Sequence, residues 1–245
     1  MLTPSFLTQI TAAVATGLVG GFARGISGFG AALVMVPMLS LVVPAREAVV
    51  AVVVTTFVSS VPMAIGLRRE ADLRAVLGMA LGAVLALPLG TWLLVHLSSD
   101  ALRRVAALVV IGTALGLALI RPASTPLAPP WRVVAGFVSG VLNGAVSLGG
   151  PRVVLYFLST NVSAETSRAS FVTYFALLQV AQVTLVLAPA GLLTSASLTW
   201  VLIIAPCMFV GSYLGSVLFR AGGHLHFRVI SLALLGATGF AALFP

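Results

Sequence analysis

The chain has 245 residues, 60% of them hydrophobic and only 7% charged, and a mean hydropathy of +1.18. Such a composition excludes an ordinary soluble domain and makes lipid the main solvent. The net charge of +8 comes from thirteen arginines, and because these punctuate apolar stretches they read as positive-inside topology signals rather than as a nucleic-acid footprint.

A bilayer core takes roughly 20 apolar residues per helical crossing. Taken in chain order, the first apolar region, Phe6 to Val43, is interrupted by glycine, serine and arginine and reads as a broken element. It lacks a basic leader and a small-residue cleavage site, so it is expected to stay in the mature protein. Three continuous spans follow, Ala48 to Leu67, Leu73 to Leu97 and Leu102 to Ile120. After the proline-rich stretch from Arg121 to Trp131, a second broken region, Val133 to Thr160, precedes spans over Ala169 to Ala188, Leu198 to Phe219 and Val229 to Phe244. The single cysteine, Cys207, falls inside a span and is assigned to packing.

The two broken regions align at an offset of 119 residues: Gly17, Gly21, Gly25 and Gly30 recur as Gly136, Gly140, Gly144 and Gly149, and Ala45 and Val53 as Ala164 and Val172. The chain therefore reads as a duplication, with residues 1–120 and 132–245 as its halves and 121–131 as a linker. The connection holding Arg68, Arg69 and Arg74 has an uncharged counterpart between Ala188 and Ser197, which places equivalent connections on opposite sides of the membrane, the arginine-rich one and the linker being cytoplasmic. Inversion requires each broken element to enter and leave on one face. The expected fold is thus an all-α polytopic membrane protein of two inverted repeats, each a re-entrant helical hairpin plus three transmembrane helices.

Non-helical backbone at membrane depth is tolerated where it borders protein or a polar cavity. The first turn is expected between Arg24 and Gly30, with Gly28 and Gly30 supplying its backbone angles and Ser27 capping the half-helix after it. The second repeats the design with Asn143, Ser147, Gly149 and Gly150, and Pro151 suits a helix first turn. Two half-helix N-termini facing each other would form an anion cradle. Arg24 and Arg152 lie within these elements without neighbouring acids, and a guanidinium binds pairs of oxyanion oxygens. Thr55, Tyr174 and Gln179 are the further intramembrane polar candidates, Thr55 aligning with Tyr174.

The segments GGFARGISGFGAALVMVPML and GVLNGAVSLGGPRVVLYFL, with the duplicated layout, resemble the TauE/SafE family, also called the toluene sulfonate uptake permease family. The resemblance covers nearly the whole chain and implies a secondary transporter, not an enzyme. It implies export or import of sulfite, organosulfonates or related sulfur oxyanions across a bacterial inner membrane, coupled to a proton or other ion gradient. This chain departs from the commoner glycine pattern at Arg24, Phe29 and Arg152. An anion channel of similar hairpin architecture is the competing reading. Gly25-Ile26-Ser27-Gly28 matches the GxSG motif of an intramembrane serine protease, but His96, His224 and His226 all lie at span ends, where none can serve as its base. No cofactor is expected, and the five carboxylates, all in loops or at span ends, form no metal cluster.

Overall fold

A computed structural model describes residues 6–119, 129–149, 153, 156–157 and 162–222, and all the regular structure among them is helical. In chain order the helices are α1 (Phe6–Ser27), α2 (Ala31–Ser40), α3 (Ala45–Leu67), α4 (Leu73–His96), α5 (Ser99–Leu119), α6 (Pro129–Val146), α7 (Ala164–Ala181, continued by a π-helical turn over Gln182–Leu187) and α8 (Ser195–Arg220). Five of them, α1, α3, α4, α7 with its π turn, and α8, are long and apolar enough to cross a bilayer. α3 is helical despite its run of β-branched residues, because in lipid a helix is the one local structure that satisfies every backbone amide within the segment. Side-chain caps fix three of the starts: Asp72 accepts from Ala75 N (3.1 Å), Ser163 from Thr166 N (3.1 Å) and Thr194 from Ser197 N (3.2 Å). The expected span from Val229 to Phe244 and most of the 121–131 linker lie outside the described residues.

Side-chain contacts give the helix directions. α2 lies back along α1: Gln9 near the start of α1 donates to Val42 O (3.0 Å), and Gly20 abuts the Met35 side chain. α4 returns along α3, since Arg46 in the first turn of α3 donates to Val95 O near the end of α4 (2.5 Å). Arg103 in α5 donates to Ser40 O (2.5 Å), at the same end of the bundle. α7 starts at the other end, where the last turn of α1 lies, because Arg168 donates to Gly25 O (2.7 Å).

The closest packing exchanges partners between the halves. Gly17, Gly21 and Gly25 of α1 meet Ile204, Met208 and Ser212 of α8, so these helices run side by side in the same direction. Gly136, Gly140 and Gly144 of α6 meet Met79, Ala83 and Leu87 of α4 in the same way. A methyl group at Gly21 or Gly140 would strike the facing carbonyl, so glycine is what lets these backbones touch. Gly215 meets Gly25, and Gly90 meets Gly144, closing both seams at matching places. α3 and α7 cross in the middle, where Ser60 and Gln179, 119 residues apart, are hydrogen-bonded to each other (2.6 Å). The leucines and Trp92 on the outer face of α4 and the apolar outer face of α8 are left exposed, as lipid contact requires.

The first break is narrower than expected. α1 continues through Arg24 and Gly25 to Ser27, so its first arm has 22 residues against 10 in α2. Ser27 does not cap α2, whose cap position is Gly30 without a side-chain bond. Its hydroxyl is instead taken up by the turn itself.

Candidate functional site

Both helices that open a half stop at the same place in the repeat. After Ser27, Gly28 takes φ 77° and its N–H donates to Arg24 O (2.7 Å); after Val146, Ser147 takes φ 58° and its N–H donates to Asn143 O (2.8 Å). A left-handed residue at this position ends a helix by turning the chain out of its path. In the first break Ser27 Oγ lies 2.7 Å from Ala23 O and 2.5 Å from Phe29 O and accepts from Phe29 N (3.3 Å). Gly30, with φ 88°, then hands the chain to α2. In the second, Ser139 Oγ donates to Gly149 O and accepts from Tyr174 OH (2.8 Å). Gly149 packs against Ser139 and Asn143, leaving no room for a side chain.

Between the two breaks lies a cavity of about 30 Å³. Arg24, Gly30 and the first residues of α2 line it from one half, and Ser147 and Leu148 from the other. Thr56 and Gln179, on α3 and α7, add polar walls; Phe29 and Phe175 add apolar ones. Phe29 and Leu148, and Thr56 and Phe175, are pairs at the 119-residue offset. The cavity therefore sits where the two halves are related to each other. Its size suits a water molecule rather than a sulfur oxyanion, so an oxyanion would need the walls to move apart.

Arg24 dominates the site's chemistry. It is 3% exposed, donates from Nη2 to Ser60 Oγ (2.5 Å), and its Nε has no hydrogen-bond partner among the described residues. The one ion pair among the described residues, Arg103 with Asp100 (3.8 Å), is elsewhere. The Gln179 amide spans the hydroxyls of Ser60 (2.6 Å) and Thr56 (2.8 Å), so a polar chain leads from Arg24 to the cavity's far wall. A buried cation without a counter-charge costs several kcal/mol of desolvation, which an anion in the cavity would offset. The first-turn amides of α2, which lack intrahelical acceptors, point the same way.

Of the residues singled out by sequence, Arg24, Gly30, Ser147 and Gln179 share this cavity. Gly28 and Ser27 shape the adjacent turn. Asn143 donates to Gln182 Oε1 (2.6 Å) and accepts from Gln182 Nε2 at its carbonyl (3.3 Å), fixing α6 on α7. Tyr174 braces the second break through Ser139 and does not line the cavity. Thr55 is buried, its hydroxyl has no partner among the described residues, and it too is off the cavity wall. Gly150 and Arg152 lie outside the described residues. Sequence reasoning passed over Phe29 as a wall, Ser60 and Arg168. The repeat offset carried a signal for Ser60, since it maps that residue onto Gln179.

A family model described as "Sulfite exporter TauE/SafE" matches residues 13–242. No match is found among curated proteins or among solved structures.

Proposed function

Because the chain belongs to the sulfite exporter TauE/SafE family, we propose that it is a secondary transporter, working as an exporter, of small sulfur-containing anions such as sulfite or organosulfonates. The anion binds between the two helix breaks, in the cavity lined by Arg24, Gly30, Ser147 and Gln179. The carrying observation is Arg24, a buried guanidinium with an unpartnered Nε on a cavity shared by both halves. Asn143, Gly28, Gly149 and Ser27 hold the backbone of the site; Arg152, which the repeat offset maps onto the cavity-lining Leu33, supplies a second cation from the other half.

The two halves are inverted repeats, each with a re-entrant hairpin. Support comes from the run directions: α1 and α6 occupy equivalent places in the repeat, yet α6 runs with α4 and therefore against α1 and α3. α3 and α7 likewise start at opposite ends of the bundle. In a bacterial inner membrane the 68–72 connection is cytoplasmic. The water-sized cavity must widen to admit an anion, which favours a carrier over a channel with a standing continuous path. Glu47 and Glu165, in the first turns of α3 and α7, favour those helix N-termini.

The test is binding. Sulfite, sulfate, thiosulfate, taurine and sulfoacetate are screened for thermal stabilisation of the purified protein, and the best is titrated calorimetrically. Arg24→Gln, with Arg152→Gln beside it, is expected to lose one charge-assisted contact, weakening affinity about ten- to a hundredfold. Unchanged affinity in folded Arg24→Gln would remove Arg24 from the site.

A further inference from the structure

Arg168, in α7, is 7% exposed and lies off the cavity wall. Its guanidinium donates to Gly25 O from Nε (3.1 Å) and Nη2 (2.7 Å), donates to Ser216 Oγ (2.9 Å), and sits over the Phe219 ring at 4.6 Å. One side chain thus ties the start of α7 to the last turn of α1 and to the end of α8. Gly25 O takes its two shorter bonds from that donor and a longer one from Ser216 Oγ (3.4 Å). In an unbroken helix it would accept from Phe29 N, which here bonds Ser27 Oγ instead.

The same stretch of α7 supports the cavity. A side chain at Gly28 would meet Arg168 O at 2.7 Å, so the left-handed turn rests directly on the Arg168 backbone. One turn further along, Phe171 packs edge-on against Phe29, a cavity wall (5.0 Å between ring centres). Displacing the start of α7 from α1 would therefore release the turn and Phe29 together.

The opposite end of the bundle is held differently. The repeat offset maps Arg168 onto Val49, which can make no such tie. There, Arg46 in the first turn of α3 is exposed, makes one bond to Val95 O, and borders an open recess of about 400 Å³ with Glu47, Ser98 and Ser99. Exposed charged contacts hold little, whereas a buried guanidinium with several acceptors resists release because each lost contact strands a desolvated group.

We propose that Arg168 is a gating residue: it bolts the cavity shut at the end carrying the 68–72 connection and must let go of Gly25 and Ser216 for an anion to pass on that side. The proposal rests on the transporter reading, but its test needs no knowledge of the anion. Ala32, which lines the cavity, is replaced by cysteine in a Cys207→Ser background. Labelling by an impermeant maleimide is then timed in right-side-out and inside-out vesicles.

Loss of a charge-assisted tie should raise the open population about tenfold or more. Arg168→Gln is thus expected to speed labelling from the 68–72 end by that factor, with the opposite end little changed. Arg168→Lys, which keeps the charge without the forked geometry, should fall between. Arg46→Gln should leave labelling from the 68–72 end as it is. If Arg168→Gln does not fold, Ser216→Ala is expected to give a smaller acceleration at the same end. No acceleration overturns the proposal, and equal acceleration from both ends overturns it too, since that marks a loosened fold. Side-specific labelling in a protein that no sulfur anion stabilises would keep the gate and sink the substrate reading. Anion binding that depends on Arg24 with unaltered labelling would do the reverse.

Discussion

The breaks after Ser27 and after Val146 open with the same backbone step and have different supports. Each ends a helix at one repeat position with a left-handed residue whose N–H closes onto the carbonyl four residues back. The first uses glycine and leans on a charged side chain from the other half, Arg168. The second uses serine and is held by neutral hydroxyls, Ser139 and Tyr174. The step that ends the helix is thus alike at the two breaks, while the means of holding it differ.

The comparison is tested most severely at Gly28. Alanine there must take φ near 77° and place its methyl 2.7 Å from Arg168 O. The left-handed backbone costs about 1–2 kcal/mol and the overpacking about 1–3 kcal/mol more. Gly28→Ala should therefore lower the thermal stability of the purified protein by far more than Ser147→Ala, whose position already carries a side chain. Equal effects would mean that the first break does not rest on α7.

Next in size is the contrast between Tyr174 and Thr55, equivalent positions with unlike surroundings. Tyr174 OH donates to the hydroxyl that secures Gly149, so Tyr174→Phe should cost about 0.5–1.5 kcal/mol. Thr55 Oγ1 is buried without a partner, so Thr55→Val removes an unsatisfied group and should be neutral or stabilising. Paired melting curves check both, and destabilisation by Thr55→Val would place an unseen partner on its hydroxyl.

Much of this architecture was legible in the sequence, for identifiable reasons. Glycine at a fixed spacing marks both close helix packing and helix ends, so the two breaks and Arg24 beside the first could be found from one line of text. The partners of the glycine seams could not: Gly17 and Gly136 announce a neighbour without naming it, and the neighbours turn out to belong to the opposite halves. Arg168 was missed because an arginine near the start of a span ordinarily reports topology. Only folding brings it to the stranded carbonyl of Gly25. α1 ends at Ser27, inside the interval expected for the turn, and Gly25 belongs to the helix seam.

The smallest expected effect on stability is also the one that separates holding from binding. Ser147 sits at φ 58°, where a residue with a Cβ pays about 1–2 kcal/mol that glycine does not. Glycine loses more backbone freedom on folding, roughly 0.5–1 kcal/mol relative to alanine. The two terms nearly cancel, so Ser147→Gly should shift stability by less than about 1 kcal/mol, upward if at all. Ser147 lines the cavity, however, and its hydroxyl is buried with no partner among the described residues. A bound oxyanion would give it one, a contact of about 0.5–1.5 kcal/mol, or roughly two- to tenfold in affinity. Ser147→Gly is therefore expected to leave melting almost unchanged while weakening titration of the best anion by that factor. Gly149→Ala should show the opposite pattern, because a methyl group there meets Ser139 and Asn143 rather than the cavity. If Ser147→Gly instead melts early and binds normally, the serine holds the second break and the anion contacts lie on the Arg24 side alone.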